Sequence, residues 1–99
     1  MHITVTARHC EIPDDVRERA HEVADKLSRL AHRPQRMAIV FDEDHQRRVA
    51  ELKMWLPRGQ IVVATAEETD FRSALDRAGE KLRTQLEKAG PHPRRQPTT

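Results

Sequence analysis

The sequence predicts a two-layer α+β domain, in which a four-stranded sheet carries two helices packed on one face. Two long segments repeat apolar residues at the three- and four-residue steps of an amphipathic helix. Four shorter segments are rich in alternating or β-branched residues, as strands are. The six segments follow one another as β-α-β-β-β-α, and the 99 residues suffice for one domain but not for two.

An amphipathic strand and an amphipathic helix open the chain. Ile3, Val5 and Ala7 alternate with polar residues, which is the pattern of a half-buried strand. Pro13 and the two aspartates after it predict the start of a helix, because carboxylates stabilise the positive end of the helix dipole. Pro34 is predicted to end this helix. The apolar face expected for the helix comprises Val16, Ala20, Val23, Leu27 and Leu30.

Three further strands are predicted in the middle of the chain. Segments 36–42 and 48–56 are rich in strand-forming residues, and the polar sequence DEDHQR between them predicts a hairpin loop. The segment PRG (57–59) predicts a turn, since proline and glycine both favour one. The sequence QIVVATA (60–66) then predicts a short strand.

The second helix and a polar tail complete the predicted domain. Asp70 is placed to cap the helix, and Gly79 is expected to weaken it by up to ~1 kcal/mol relative to alanine. Gly90 is expected to end it. Residues 91–99 are proline-rich and polar, so we expect a disordered tail after a domain that spans residues 1–90. The apolar face expected for the second helix comprises Phe71, Leu75, Ala78, Leu82, Leu86 and Ala89.

The composition and the absence of several motifs disfavour some classes of function. Cys10 is the only cysteine, which excludes an intrachain disulfide and fits a reducing, cytoplasmic setting. No segment reaches the ~20 apolar residues of a membrane span. No histidine or cysteine pair has the spacing of a zinc site, and neither a glycine-rich phosphate loop nor a nucleophile elbow is present. We therefore expect a soluble protein without a metal, a cofactor, a small-molecule substrate, a membrane partner or an enzymatic activity.

Positive charge is concentrated on one stripe of the second helix. Arg77, Lys81, Thr84 and Lys88 fall within about 60° of arc, and the acidic residues of the helix lie roughly a quarter-turn away. Arg77 and Lys81 repel each other at four-residue spacing. An anionic partner, most commonly phosphate, best explains such tolerated repulsion. The formal net charge of +2 is by itself too small to argue for nucleic acid, and the opposite charges on the first helix fit an ordinary solvated face.

The sequence ATAEETDFRSALDRAGEKLRTQLEK (64–88) resembles the signature of bacterial hibernation-promoting factors, which are also called ribosome-associated inhibitors and sigma-factor modulation proteins. The signature positions are Ala64, Ala66, Glu67, Asp70, Ala74, Asp76, Lys81, Leu82, Gln85, Leu86 and Lys88. Segment 3–18 also resembles the first strand, turn and helix start of this family. Glu11, Ile12, Arg17, Lys26 and Leu27 fall at matching places. The resemblance covers about residues 2–89.

This resemblance implies a non-catalytic protein whose partners are the small ribosomal subunit and its 16S rRNA. Family members lie in the decoding channel, occupy the path of mRNA and tRNA, and silence idle ribosomes in stationary phase or starvation. The resemblance further implies rRNA contacts from basic residues of both helices, and we expect a monomer off the ribosome. The residues expected to contact rRNA are Arg8, Arg17, Lys26, Arg29, Arg33, Arg77, Lys81, Arg83 and Lys88.

Departures from the family pattern leave alternatives open. Thr84 stands where the family usually has arginine, Val23 replaces a frequent lysine, and Gly90 shortens a lysine-rich ending, so a lower rRNA affinity or a diverged paralogue is expected. The ribosome-dimerising second domain of the long family form is expected to be absent, unless this chain is a fragment of a longer product. The alternatives are a general double-stranded RNA-binding module and a protein-interaction domain anchored by Trp55, although partial burial at a sheet edge is the more ordinary role for that residue.

Overall fold

A computed structural model describes residues 1–88 of the chain. The elements are β1 (His2–Arg8), α1 (Asp14–Leu30), β2 (Arg36–Asp44), β3 (Arg47–Trp55), a 3-10 turn (Pro57–Gly59), β4 (Ile61–Glu68) and α2 (Phe71–Lys88). The predicted order β-α-β-β-β-α is confirmed. The tail predicted for residues 91–99, and the helix end predicted at Ala89 and Gly90, lie outside the described residues.

The four strands form one mixed sheet in the order β1-β2-β3-β4. β1 and β2 pair in parallel, whereas β2–β3 and β3–β4 pair antiparallel. A parallel pair needs a crossover connection, and α1 supplies it between β1 and β2. β1 and β4 are therefore the edge strands. Neither helix among the described residues is long and apolar enough to cross a membrane.

One face of the sheet is buried under both helices, as the sequence predicts. The register places Ile39 beside Leu52 and Leu52 beside Ala64, so that buried residues form rows across the strands. The buried residues of β2, β3 and β4 are Met37, Ile39, Phe41, Ala50, Leu52, Met54, Val62, Ala64 and Ala66. The residues between them point to the opposite, open face, which no helix covers among the described elements.

The buried helix faces agree with the predicted ones except at one position. α1 buries Val16, Ala20, Val23, Ala24 and Leu27, and α2 buries Ala74, Leu75, Ala78, Gly79, Leu82 and Leu86. Phe71 is half-buried and packs edge-on against Phe41, with ring centroids 5.7 Å apart. The prediction for Leu30 was wrong, since it is 42% exposed. α1 ends at Leu30, and this last residue lines the open groove between the two helices.

The hairpin between β2 and β3 is tighter than predicted. The strands continue to Asp44 and Arg47, and only His45 and Gln46 form the turn. Both turn residues have positive φ (50° and 69°), as a type I′ turn requires. The segment was predicted to be a loop because it is polar. Its acids instead lie opposite arginines in the strand register, for example Asp44 opposite Arg47, and such cross-strand pairs stabilise a sheet.

Asp70 caps α2 as predicted. One carboxylate oxygen accepts the backbone N–H of Ser73 at 3.0 Å, and the other accepts the Ser73 hydroxyl at 2.8 Å. These two hydrogen bonds favour the ionised carboxylate, so they hold the pKa of Asp70 below its ordinary value of 3.8.

Gly79 lies on the side of α2 that faces Val23 of α1. A Cβ built on this glycine would lie 3.2 Å from Cγ1 of Val23. The residue therefore weakens the helix locally while it allows the two helices to pack together.

Replacing Gly79 by alanine is therefore expected to stabilise the fold by clearly less than ~1 kcal/mol, because the helix-propensity gain is offset when Val23 must move. In a Val23→Ala background, where the obstructing methyl groups are gone, the same change should give the full gain of ~1 kcal/mol. Urea unfolding of the wild type, both single variants and the double variant measures this difference. An equal effect of Gly79→Ala in both backgrounds would show that Val23 imposes no restriction.

Candidate nucleic-acid interface

The basic stripe of α2 lies along the edge of β4. Arg77 donates to the carboxylate of Glu68 at 3.1 Å. Nζ of Lys81 donates to the backbone carbonyl of Thr65 at 2.9 Å. Gln85, on the same flank of the helix, donates to the carbonyl of Val63 at 2.7 Å. Because β4 is an edge strand in the described part of the chain, no further strand there pairs with these carbonyls, and α2 satisfies them instead.

These contacts weaken the argument that the basic stripe needs an anionic partner. Arg77 and Lys81 each have an acceptor within the chain, so the repulsion between them is offset without an external anion. Lys81 uses one of its three N–H donors on Thr65 and remains exposed, which leaves it able to bind a further acceptor. Thr84 donates its hydroxyl to the carbonyl of Glu80 within the helix. Lys88 has no hydrogen-bond or carboxylate partner among residues 1–88.

Some of the predicted rRNA-binding cations of α1 also have a partner within the chain, whereas others have none among the described residues. Arg17 donates to the carbonyl of Val5 at 3.3 Å, so it covers the other edge strand, β1. Arg29 pairs with Asp25 at 2.7 Å across one helical turn. Lys26 has no carboxylate partner among the described residues.

A groove separates the two helices, and an arginine that the sequence did not single out crosses it. Arg19 donates to Asp76 of α2 at 3.2 Å and pairs with Glu22 at 3.4 Å. The hydrogen bond to Asp76 raises the pKa of this guanidinium. Lys26 and Arg83 also line the groove, from α1 and α2 respectively. The groove therefore carries cations from both helices.

Two further predicted cations, Arg83 and Arg8, also have carboxylate partners. Arg83 is held between Glu80 at 3.5 Å and Glu87 at 3.3 Å on its own helix. Arg8 lies on the open face of the sheet, 3.9 Å from Asp42. Asp42 also accepts the backbone N–H of Glu43, and this hydrogen bond is the largest cause that lowers the pKa of its carboxyl.

The two ends of the sheet differ in charge, which the sequence analysis did not detect. Segments 26–41 and 52–66 contain no aspartate or glutamate. The fold brings these two segments together at the end of the sheet where β2 and β4 begin and β3 ends. Residues 26–36 and 53–61 carry cations and no carboxylate there, and we call them the basic end. The signal was present in the sequence as two acid-free segments, but only the sheet register shows that they are neighbours.

The opposite end of the sheet, which we call the paired end, holds the β2–β3 hairpin. The two arginines of this hairpin pair with carboxylates, Arg47 with Glu67 at 3.8 Å and Arg48 with Glu43 at 3.6 Å. At the basic end, by contrast, no carboxylate partner is found within residues 1–88 for Arg33, Arg36, Lys53 or Arg58.

Both helices end at the basic end. α2 runs antiparallel to β4. Three successive contacts show this, since later residues of α2 contact earlier residues of β4: Arg77 with Glu68, Lys81 with Thr65, and Gln85 with Val63. Lys88 therefore lies toward the start of β4. Because α1 leads into β2, its last turn also lies at this end. Within residues 1–88, most of the cations without carboxylate partners thus share one end of the molecule, whereas Arg17 and Arg72 lie near the helix starts at the opposite end.

Two further features complete the site. Trp55 is half-buried on the open face of the sheet. It was expected at a sheet edge, but it lies on the interior strand β3. In the part of the chain that the structure describes, no three histidine, cysteine or acidic side chains come together to hold a metal ion.

Comparison with known proteins gives one family match and several structural neighbours. The family described as "Sigma 54 modulation protein / S30EA ribosomal protein" matches residues 3–90. The crystal structure of the Thermus thermophilus Protein Y N-terminal domain has a TM-score of 0.77 and 27% identity, covering 91% of this chain and 100% of that one. A ribosomal subunit interface protein from Coxiella burnetii has a TM-score of 0.78 and 27% identity, covering 90% of this chain and 97% of that one. No curated protein matches.

Proposed function

The chain belongs to the sigma 54 modulation protein / S30EA ribosomal protein family, and we propose that it is a hibernation factor that binds the small ribosomal subunit, occupies its decoding channel and inhibits translation. The family is one of ribosome-associated, non-enzymatic proteins, and its structural neighbours here include a ribosomal subunit interface protein. Ribosome association places the protein in the cytoplasm. Stress or stationary phase, when idle ribosomes accumulate, is the condition in which it acts.

One observation carries the proposal: most of the cations without carboxylate partners among residues 1–88 gather at the basic end, where both helices end. Lys26, Arg33 and Lys88 come from different elements, yet the fold directs all three toward the basic end. A cluster of cations that have no carboxylate partner within residues 1–88 suits a densely charged phosphate backbone, because less of its charge is offset within the protein. The 16S rRNA supplies such a backbone.

The predicted rRNA-binding residues fall into three groups under this proposal. Lys26, Arg33 and Lys88 contact phosphates directly, and Lys81 does so with the N–H donors that Thr65 leaves unused. Arg29 and Arg77 must share their guanidinium groups with Asp25 and Glu68, and so contribute less. Arg83, which two carboxylates hold, contributes least, and Arg8 and Arg17 contribute little because they lie away from the basic end.

The test is co-sedimentation of the purified protein with small ribosomal subunits, combined with inhibition of translation in vitro. A hibernation factor should pellet with subunits that carry no mRNA, and added mRNA and tRNA should compete with it. Binding of any duplex RNA as tightly as the subunit would favour a general double-stranded RNA-binding module. A partner that survives nuclease treatment would favour a protein-interaction domain.

The affinity for small subunits should fall steeply with salt. Each phosphate that the protein neutralises releases a counterion, so four such contacts should give a slope of about −3 in a plot of log affinity against log salt. Lys88→Gln should reduce the magnitude of this slope by about one. An affinity that stays constant between low and moderate salt would contradict binding through phosphate contacts.

A further inference from the structure

The open face of the sheet carries an aromatic ring among cations at the basic end. The guanidinium carbon of Arg36 lies 4.2 Å from the centroid of the Trp55 ring, and Nζ of Lys53 lies 5.6 Å from it. Arg36 on β2 and Ile61 on β4 flank Trp55 in the strand register. The ring is half-buried, so part of it faces solvent.

The charges around this ring are available to a ligand. No carboxylate partner occurs among residues 1–88 for Arg36, Lys53 or the nearby Arg58. On the same sheet, the arginines of the paired end are neutralised by carboxylates, as in Arg47–Glu67 and Arg48–Glu43. The sheet therefore offers unpaired positive charge at only one of its two ends within the described chain.

Exposed apolar surface adjoins the ring. Ile61 is 49% exposed and Val63 is 38% exposed, although both lie on a strand with a buried opposite face. They neighbour Trp55 and Lys53 in the register of β3 and β4. An apolar strip beside an aromatic ring and unpaired cations suits a ligand that has both a flat apolar ring and a negative charge.

We propose that this surface binds an unpaired RNA strand, with one base stacked on Trp55 and the adjoining phosphates held by Arg36, Lys53 and Arg58. Stacking platforms combined with a positive groove are the usual means of holding single-stranded nucleic acid. A duplex cannot use such a platform, because its bases are already stacked on one another. We call the surface formed by these four residues, Ile61 and Val63 the Trp55 platform.

Arg36 has to move for a base to stack. Its guanidinium lies on the ring, where the contact is a cation–π interaction of an exposed pair. No carboxylate of residues 1–88 fixes the guanidinium there, so it can move aside and contact the phosphate of the stacked nucleotide. The Trp55 platform lies opposite the helices, and the inference does not depend on the helix contacts proposed above.

The chain is well suited to a direct measurement. Trp55 is the only tryptophan and there is no tyrosine, so intrinsic fluorescence reports on the platform alone. Titration of the full chain with a single-stranded oligoribonucleotide of about eight nucleotides should quench the fluorescence in a saturable way. The matching RNA duplex should quench it much less. Absence of saturable quenching by the single strand would overturn the proposal.

Two sets of variants test the contribution of the ring and of the charges. Trp55→Leu should weaken binding of fluorescein-labelled single-stranded RNA about tenfold, whereas Trp55→Phe should keep most of the affinity. Arg36→Gln with Lys53→Gln should also weaken it, while Arg47→Gln with Arg48→Gln makes the same change in charge at the paired end and should have little effect. Thermal melts establish that each variant is folded.

Three results would contradict the inference. These are unchanged RNA affinity in folded Trp55→Leu, equal losses from the two double glutamine variants, and loss of quenching when the helix cations Lys26 and Lys88 are reversed. The last would mean that the helices hold the RNA. Because no ribosome is present in these assays, a failure here is separate from a failure of the proposed ribosome binding.

Discussion

Lys26→Glu combined with Lys88→Glu is expected to lower the affinity for small ribosomal subunits by at least about 100-fold and to abolish inhibition of translation. Both lysines are exposed, have no carboxylate partner among residues 1–88, and lie toward the basic end on different helices. Charge-assisted contacts contribute about 1.5–3 kcal/mol each, and reversal replaces two of them by repulsion. A competition assay for small subunits measures the loss, with thermal melts to show that the fold survives.

The matched control reverses two cations at the paired end. Arg47→Glu combined with Arg72→Glu changes the net charge by the same amount, and both residues are exposed. If specific phosphate contacts at the basic end carry binding, this control should lose little affinity beyond a general electrostatic effect. Equal losses from both double variants would mean that only net charge matters.

Lys81 is left out of this experiment because it has two roles. Its bond to the carbonyl of Thr65 holds α2 over the edge of β4, so Lys81→Glu would weaken that contact and could reduce binding through stability alone. Lys88 lies on the same stripe, makes no such bond within the described residues, and therefore gives the cleaner result.

Leu52→Ala is expected to destabilise the domain by about 2–5 kcal/mol, which is a large part of the stability of a domain of this size. Leu52 is completely buried on β3, between Ile39 and Ala64 in the register. Truncation removes apolar contacts in the middle of the sheet and leaves a cavity under the helices. Urea unfolding monitored by circular dichroism measures the change.

Leu30→Ala is the matched control, since it makes the same chemical change at a site that is 42% exposed. It should alter the free energy of unfolding by about 0.5 kcal/mol or less. This comparison also tests where the apolar face of α1 ends. A cost at Leu30 close to that at Leu52 would place Leu30 in the core, as the helical spacing alone suggested.

The sequence by itself determined the elements and the faces they bury. Helical spacing and strand alternation are local properties, because each depends only on residues a few positions apart. The order of elements, the cap at Asp70 and nearly all of both apolar faces could be predicted from them. The family signature in residues 64–88 is also linear, so the family could be recognised before any contact was known.

The tertiary structure alone decided which charges are neutralised and which are available. Arg77 was expected to have no acid beside it, because helix spacing shows only acids of the same helix, whereas Glu68 approaches from β4. β2 extends to Asp44 and β3 begins at Arg47 because acids and arginines lie opposite one another across the hairpin. The basic end arises from two acid-free segments that the sheet brings side by side. Electrostatic pairing acts through space over a few ångströms, so residues distant in sequence decide it.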